Sequence, residues 1–158
     1  TSVSRNGFDI IVVVLGADTK KIRTSDSIKL IEYTYKNYEL VDLREVVKEE
    51  FEAWRKINEK RINVYKGVKQ TLVTTLGELQ YTKYPIAKDC ANNIWADINF
   101  RDYFEAPIEE NTKVGKITIG INTTRIMDVE ILVRNKINRK NVMDYLMELL
   151  GKYKIACQ

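Results

Sequence analysis

Apolar residues run unbroken over positions 10–15, just after a short polar stretch that contains Arg5-Asn6-Gly7. Residues 1–4 and 8–15 flank that tripeptide. Asn-Gly between two strand-like runs predicts a hairpin, because both residues tolerate positive φ. A strand apolar at every position expects cover on both faces, as inside an α/β-type sheet. Gly16-Ala17-Asp18 ends it. A helix follows, with Ser25 or Asp26 as its cap and Ile28, Leu30, Ile31 and Tyr35 as its apolar stripe. One hairpin and one helix cannot bury a two-sided strand. The segment therefore reads as the trailing edge of a larger domain.

The next pattern is helical. Asp42-Leu43-Arg44-Glu45 has the form of a capping box, and Leu43, Val46, Val47, Phe51 and Trp54 recur at helical spacing, which predicts a helix over 42–56. Period two takes over after Arg61. Ile62 and Val64 lead into a Tyr65-Lys66-Gly67 turn, and residues 72–76 form a β-branched run broken by Gly77-Glu78. Leu79, Tyr81 and Tyr84 alternate up to Pro85. Ile94, Ala96, Ile98 and Phe100 alternate with Trp95, Asp97 and Asn99. A strand from Val114, a turn at Asn122-Thr123-Thr124 and a strand over 126–133 complete the run. Several short strands with frequent turns predict a small, mostly antiparallel β-sandwich. A last amphipathic helix is expected over 139–153, with Val142, Leu146, Leu149, Leu150 and Tyr153 on one face. The fold class is α+β, divided as 1–41, 42–138 and 139–158.

Composition adds mainly exclusions. The chain has 158 residues and a formal net charge of +4, from 26 basic and 22 acidic residues. Arg44, Lys48, Arg55 and Lys56 are interleaved with Glu45, Glu49, Glu50 and Glu52, a solvated helix face rather than a basic footprint for nucleic acid. No apolar run approaches the length needed to span a bilayer as a helix. Histidine is absent and the only cysteines are Cys90 and Cys157. His-based catalytic centres and the usual zinc sites are thereby removed, and neither metal nor cofactor is expected. Two distant cysteines read as free thiols before they read as a disulfide.

No nucleophile can be assembled from the serines. They are Ser2, Ser4, Ser25 and Ser27, and Ser25 and Lys29 are four apart rather than three, so no Ser-x-x-Lys arises. Ser25 is better explained as a helix cap. The pairs Glu49-Glu50 and Glu109-Glu110 read as solvated surface. The aromatic residues at strand and helix spacing read as core or interface. No catalytic residue is assigned.

Two blocks carry a resemblance. The first is Phe8-Asp9-Ile10-Ile11-Val12-Val13-Val14-Leu15-Gly16-Ala17, followed by Arg23 and Leu30-Ile31-Glu32-Tyr33. The second is Ala106-Pro107-Ile108, then Val114-Gly115-Lys116-Ile117, then Ile131-Leu132-Val133. In this order the chain resembles the last third of the low-molecular-mass penicillin-binding proteins, the serine-type D-alanyl-D-alanine carboxypeptidases. Those enzymes carry Ser-x-x-Lys, Ser-x-Asn and Lys-Thr-Gly. None of these motifs occurs here.

The resemblance implies the end of a catalytic domain, then a β-rich domain, then a helix on the membrane surface. It places Arg23 at the rim of the active site, where a guanidinium suits the substrate's terminal carboxylate through paired, charge-assisted hydrogen bonds. It implies an extracytoplasmic, peripheral-membrane setting in the cell envelope and β-lactam binding by the intact enzyme. The implied partners are the peptidoglycan stem peptide, the membrane surface, and the N-terminal catalytic portion or a second copy. The chain alone would position and scaffold. The stretch 42–60 departs from the family plan by being longer and helical. Two alternatives stay open. The terminal helix either packs on the β-domain or lies on a membrane. The whole is either part of an enzyme or a non-catalytic envelope module that binds protein or wall polymer.

Overall fold

Asn6 and Gly7 both adopt left-handed backbone, with φ of 54° and 77°. That conformation closes the tight turn between β1 (Ser2–Arg5) and β2 (Phe8–Ile11). The register pairs Arg5 with Phe8 and Ser2 with Ile11. This computed structural model describes residues 1–58, 61–69, 71–101 and 103–156, with side chains described as far as Leu150. Cys157, and with it any pairing to Cys90, lies outside the described residues.

α1 (Lys20–Asn37) begins earlier than the sequence pattern suggests. Thr19 is its cap, its hydroxyl accepting the Ile22 amide at 3.3 Å, and Ser25 is an exposed residue one and a half turns inside. The expected cap at Ser25 or Asp26 is therefore corrected. Lysine and arginine are good helix formers, so Lys20-Lys21-Ile22-Arg23 continues the helix back to the first hydroxyl able to cap it. Tyr35 clamps this helix to the hairpin. Its hydroxyl donates to Phe8 O at 2.9 Å, its ring meets Phe8 edge-on at 5.6 Å, and Arg5 lies over its face.

α1 covers one side of β2 and its continuation, where Val12 is buried. The other side is bare. Ile11, Val13 and Leu15 are 80%, 72% and 87% exposed. Backbone pairing extends one residue past β2, through Val12 and Thr1, so 13–15 do not continue the predicted strand.

β3 (Tyr38–Asp42) was not foreseen, and neither was its partner β6 (Lys83–Ala87), which carries Pro85 inside a strand. Proline removes one donor, which a two-stranded ribbon tolerates on its outward edge. α2 (Leu43–Asn58) follows β3 directly. Asp42 accepts the Arg44 amide at 3.0 Å, so it caps as expected. Leu43, Val47 and Phe51 are buried on one stripe, each contributing about 1.5–3 kcal/mol.

The centre of the molecule is an antiparallel sheet in the order β5-β10-β9-β7, built from β5 (Thr74–Leu76), β7 (Ile94–Phe100), β9 (Lys113–Ile121) and β10 (Thr124–Val133). Met127, Val129, Ile131 and Val133 point from alternate positions of β10 into the core. On β9, Ile117 and Ile119 face the same way, yet Val114 is buried at the opposite parity. A register shift opposite Ile131–Leu132 leaves Val114 as the extra residue and turns it inward. α2 and the short parallel pair β4 (Val64–Tyr65) and β8 (Phe104–Glu105) complete that core with Leu72, Ala106, Ile108 and Ile137. Ile108 and Ile137 exchange backbone hydrogen bonds at 2.9 Å, which stitches the Ala106-Pro107-Ile108 segment down. The opposite face of the sheet carries most of its charged groups, beside Trp95 and Leu132. Asp128 there takes Lys116, Thr118 and Arg125, and Lys113 pairs with Glu130. Mixed helices and a curled antiparallel sheet make the class α+β, as expected.

α3 (Val142–Ala156) ends the described chain. Asn141 caps it reciprocally: its side chain accepts the Asp144 amide at 2.9 Å, and Asp144 accepts the Asn141 amide at 2.8 Å. This cap sets the start three residues later than 139.

Candidate functional site

Arg23 is exposed at the end of the first turn of α1, across from the continuation of β2. Together with Thr1, Val12, Val14, Thr24 and Ile28 it lines a groove of about 330 Å³. The floor is apolar and the rim holds one guanidinium and two threonine hydroxyls. Ser27, the buried serine of this groove, donates to Arg23 O at 2.9 Å, and Thr24 donates to Lys20 O at 3.0 Å. Both hydroxyls are spent on the helix backbone, so neither is poised as a nucleophile. The groove can hold an anion or receive a packed apolar element. It has no paired acid and base.

The remaining serines are dispersed. Ser2 and Ser4 lie on β1 and Ser25 is on the exposed side of α1. Among the described residues no cluster of three or more carboxylates or thiols is arranged to hold a metal ion.

Val142, Leu146, Leu149 and Leu150 are all exposed on α3, and so are Met143, Tyr145 and Met147. The side chain of Tyr153, the fifth residue of the predicted face, lies outside those described. Lys140 ties the root of the helix by pairing with Glu148 at 2.7 Å, and its amide donates to Lys66 O at 2.7 Å. Glu148 holds the Lys140 ammonium in its charged form above the usual lysine range. The apolar surface of this helix is thus presented outward rather than spent on the β-rich core. No helix among the described residues is long and apolar enough to cross a membrane.

The sequence reading did not single out a cleft between the end of α2 and β7, lined by Trp54, Asn58, Arg61, Ile62, Phe100 and Arg101. Its walls come from segments about forty positions apart, joined by Trp54 and Phe100 rings at 4.6 Å. The one local signal was Arg101, directly after the alternating strand that ends at Phe100.

Residues 55–139, just over half of the chain, match the family model described as penicillin-binding protein 5, C-terminal domain. No curated protein sequence matches the chain. Among solved structures it resembles penicillin-binding protein 5 from Haemophilus influenzae, with a TM-score of 0.54, 22% identity, and 87% of this chain covering 38% of that one. It also resembles the D-alanyl-D-alanine carboxypeptidase DacD from Francisella tularensis, with a TM-score of 0.51, 22% identity, and 88% of this chain covering 32% of that one. At that identity the likeness is one of fold. The chain spans between 32% and 38% of the length of these two proteins.

Proposed function

Because this chain belongs to the family of the penicillin-binding protein 5 C-terminal domain, we propose that it is the C-terminal part of a serine-type D-alanyl-D-alanine carboxypeptidase. The parent enzyme would act in peptidoglycan maturation in the cell envelope and bind β-lactams. In this reading β1, β2 and α1 are the last elements of the catalytic domain. Residues 42–138 form a reduced sandwich, with the four-stranded sheet as one layer and α2 plus the short ribbons as the other. α3 is the root of an attachment to the membrane surface.

The observation that carries the proposal is the bare side of β2. Ile11, Val13 and Leu15, on β2 and the segment that continues it, stand exposed opposite a helix-covered side, as apolar side chains do when the element that covers them belongs to another part of the protein. The two structural relatives match 87% and 88% of this chain, and each is far longer than it.

The chain's own chemistry supports a positioning role. Arg23 would meet the carboxylate of the stem peptide only when the catalytic body completes the groove. The exposed apolar surface of α3, with Lys140 at its root and Lys152 and Lys154 near its end in sequence, suits a headgroup interface. Burial of one face of so short a helix gives reversible rather than permanent attachment.

Fluorescent-penicillin labelling of native-source material tests the reading. Label on a species that carries this sequence, or comigrates with it natively and separates on denaturation, is expected. Absence of label from every species containing it would overturn the enzymatic reading in favour of a non-catalytic envelope module.

A further inference from the structure

The cleft between α2 and β7 has the composition of a small anion site, and it lies apart from the Arg23 groove. Its volume is about 300 Å³, room for one sugar or one to two amino-acid residues. Ile62, Ile98 and Phe100 make an apolar floor, and the indole of Trp54 and the amide of Asn58 stand at its side. Asn58 is held in place by donating to Trp54 O at 3.0 Å. Two cations, Arg61 and Arg101, complete the lining, and both are exposed.

Several lysines of the neighbouring sheet and ribbons are already paired. Lys66, Lys113, Lys116, Lys136 and Lys140 each hold a carboxylate. Like Lys69 and Arg134, Arg61 and Arg101 hold none among the described residues. Their backbones are anchored, however: the Arg61 amide donates to Asn58 O at 2.8 Å and the Arg101 amide to Val114 O at 3.3 Å. Two guanidiniums on fixed backbone beside an apolar floor select an anionic head on a small apolar or acylated body. A planar fork favours carboxylate through paired hydrogen bonds.

We propose that this cleft binds a small carboxylate-bearing ligand, either an acidic N-acylated sugar or the free carboxyl end of a short peptide. Both present a carboxylate beside an acyl or methyl group. The carboxylate bridges Arg61 and Arg101, the acyl group meets Asn58, and the apolar part lies against Phe100 and Ile98. This assignment is independent of the carboxypeptidase reading, because no residue of the cleft belongs to the α1 groove.

Nuclear magnetic resonance titration of the full chain tests it, reading the Trp54 indole N–H and the Arg101 amide. The probes are N-acetylmuramic acid, N-acetyl-alanyl-alanine, uncharged N-acetylglucosamine and inorganic phosphate. One or both carboxylate probes are expected to shift these signals with a dissociation constant on the order of 1 mM, and the one that binds identifies the source. Arg61→Ala and Arg101→Ala should each weaken binding about 10-fold, and Arg101→Lys should recover only part of it, keeping charge without the fork. Both side chains are exposed, so these variants should keep the parent spectrum elsewhere. Equal shifts from N-acetylglucosamine, equal binding of phosphate, retained affinity in both alanine variants, or no shift from either carboxylate would each overturn the proposal.

Discussion

Trp95 lies flat across Gly120. Its indole N–H donates to Asn122 O at 2.6 Å, and a Cβ at position 120 would overlap the ring and come within 2.8 Å of Thr124 O. The two residues are cross-strand partners on β7 and β9. The indole thereby locks the β9–β10 turn, where Asn122 has a φ of 51°. Gly120→Ala should cost about 1–3 kcal/mol by overpacking, measured by urea denaturation. The double variant Gly120→Ala/Trp95→Val should lose less than the sum of the singles, since removing the ring makes room for the methyl. Full additivity would mean that the ring is not what excludes the side chain.

α2 is docked by three residues, and the aromatic chain Phe51, Trp54 and Phe100 ties it to β7 with centroids of 6.1 and 4.6 Å. Phe51→Ala leaves a cavity under a helix that has little else to fill it, at an expected cost of about 3–5 kcal/mol. Glu49→Ala, on the exposed side of the same helix, should stay within about 0.5 kcal/mol. Equal effects in thermal unfolding would mean that α2 is not packed on the sheet.

Acid sensitivity should trace in part to Asp42. Hydrogen bonds from the Arg44 guanidinium hold its carboxyl down from the ordinary 3.8 to about 2. Because the folded value is the lower one, the stabilisation is fully present above the ordinary value. It is lost as pH falls from 3.8 toward about 2. Asp128 adds to the same trend. Burial raises its value, but Lys116, Thr118 and Arg125 together outweigh this and leave it lowered. Asp42→Asn should flatten the pH dependence of unfolding free energy across that acid window. An unchanged slope would show that Arg44 does not hold Asp42 in solution.

The bare side of β2 should have a consequence in isolation. The exposed apolar side chains Ile11, Val13 and Leu15, at the end of the two-stranded ribbon, are expected to associate with a second copy. Val13→Lys should shift the chain toward monomer in sedimentation equilibrium. A parent chain already monomeric across the concentration range would count against the bare side as an interface.

Membrane attachment should reside in α3. The pair Leu146→Glu and Leu149→Glu, both at exposed positions, should abolish flotation with anionic vesicles while leaving the unfolding midpoint of the sheet unchanged. A fall in the midpoint would instead place that face against the β-rich core.

Legibility followed the range of the forces involved. The Asn6-Gly7 turn, the alternation of β7, the existence of the strand β10 and the stripe of α2 were readable along the chain. Each depends on residues within a few positions of one another, where φ preference and burial period act directly. The strand expected over 8–15 was legible only in part: its pairing stops at Val12, opposite Thr1, and Val13 and Leu15 stand exposed beyond it. The pairing of β3 with β6, the parallel contact of β4 with β8, the inward turn of Val114 and the meeting of Arg61 with Arg101 were settled only by folding. These contacts join residues from different elements, most of them forty or more positions apart, and no local period records which distant strand completes a ladder or which two cations end at one cleft. The cap of α1 fell between the two cases: Thr19 and Ser25 carry equivalent hydroxyls, and the helix runs back to the earlier one because nothing between them stops it.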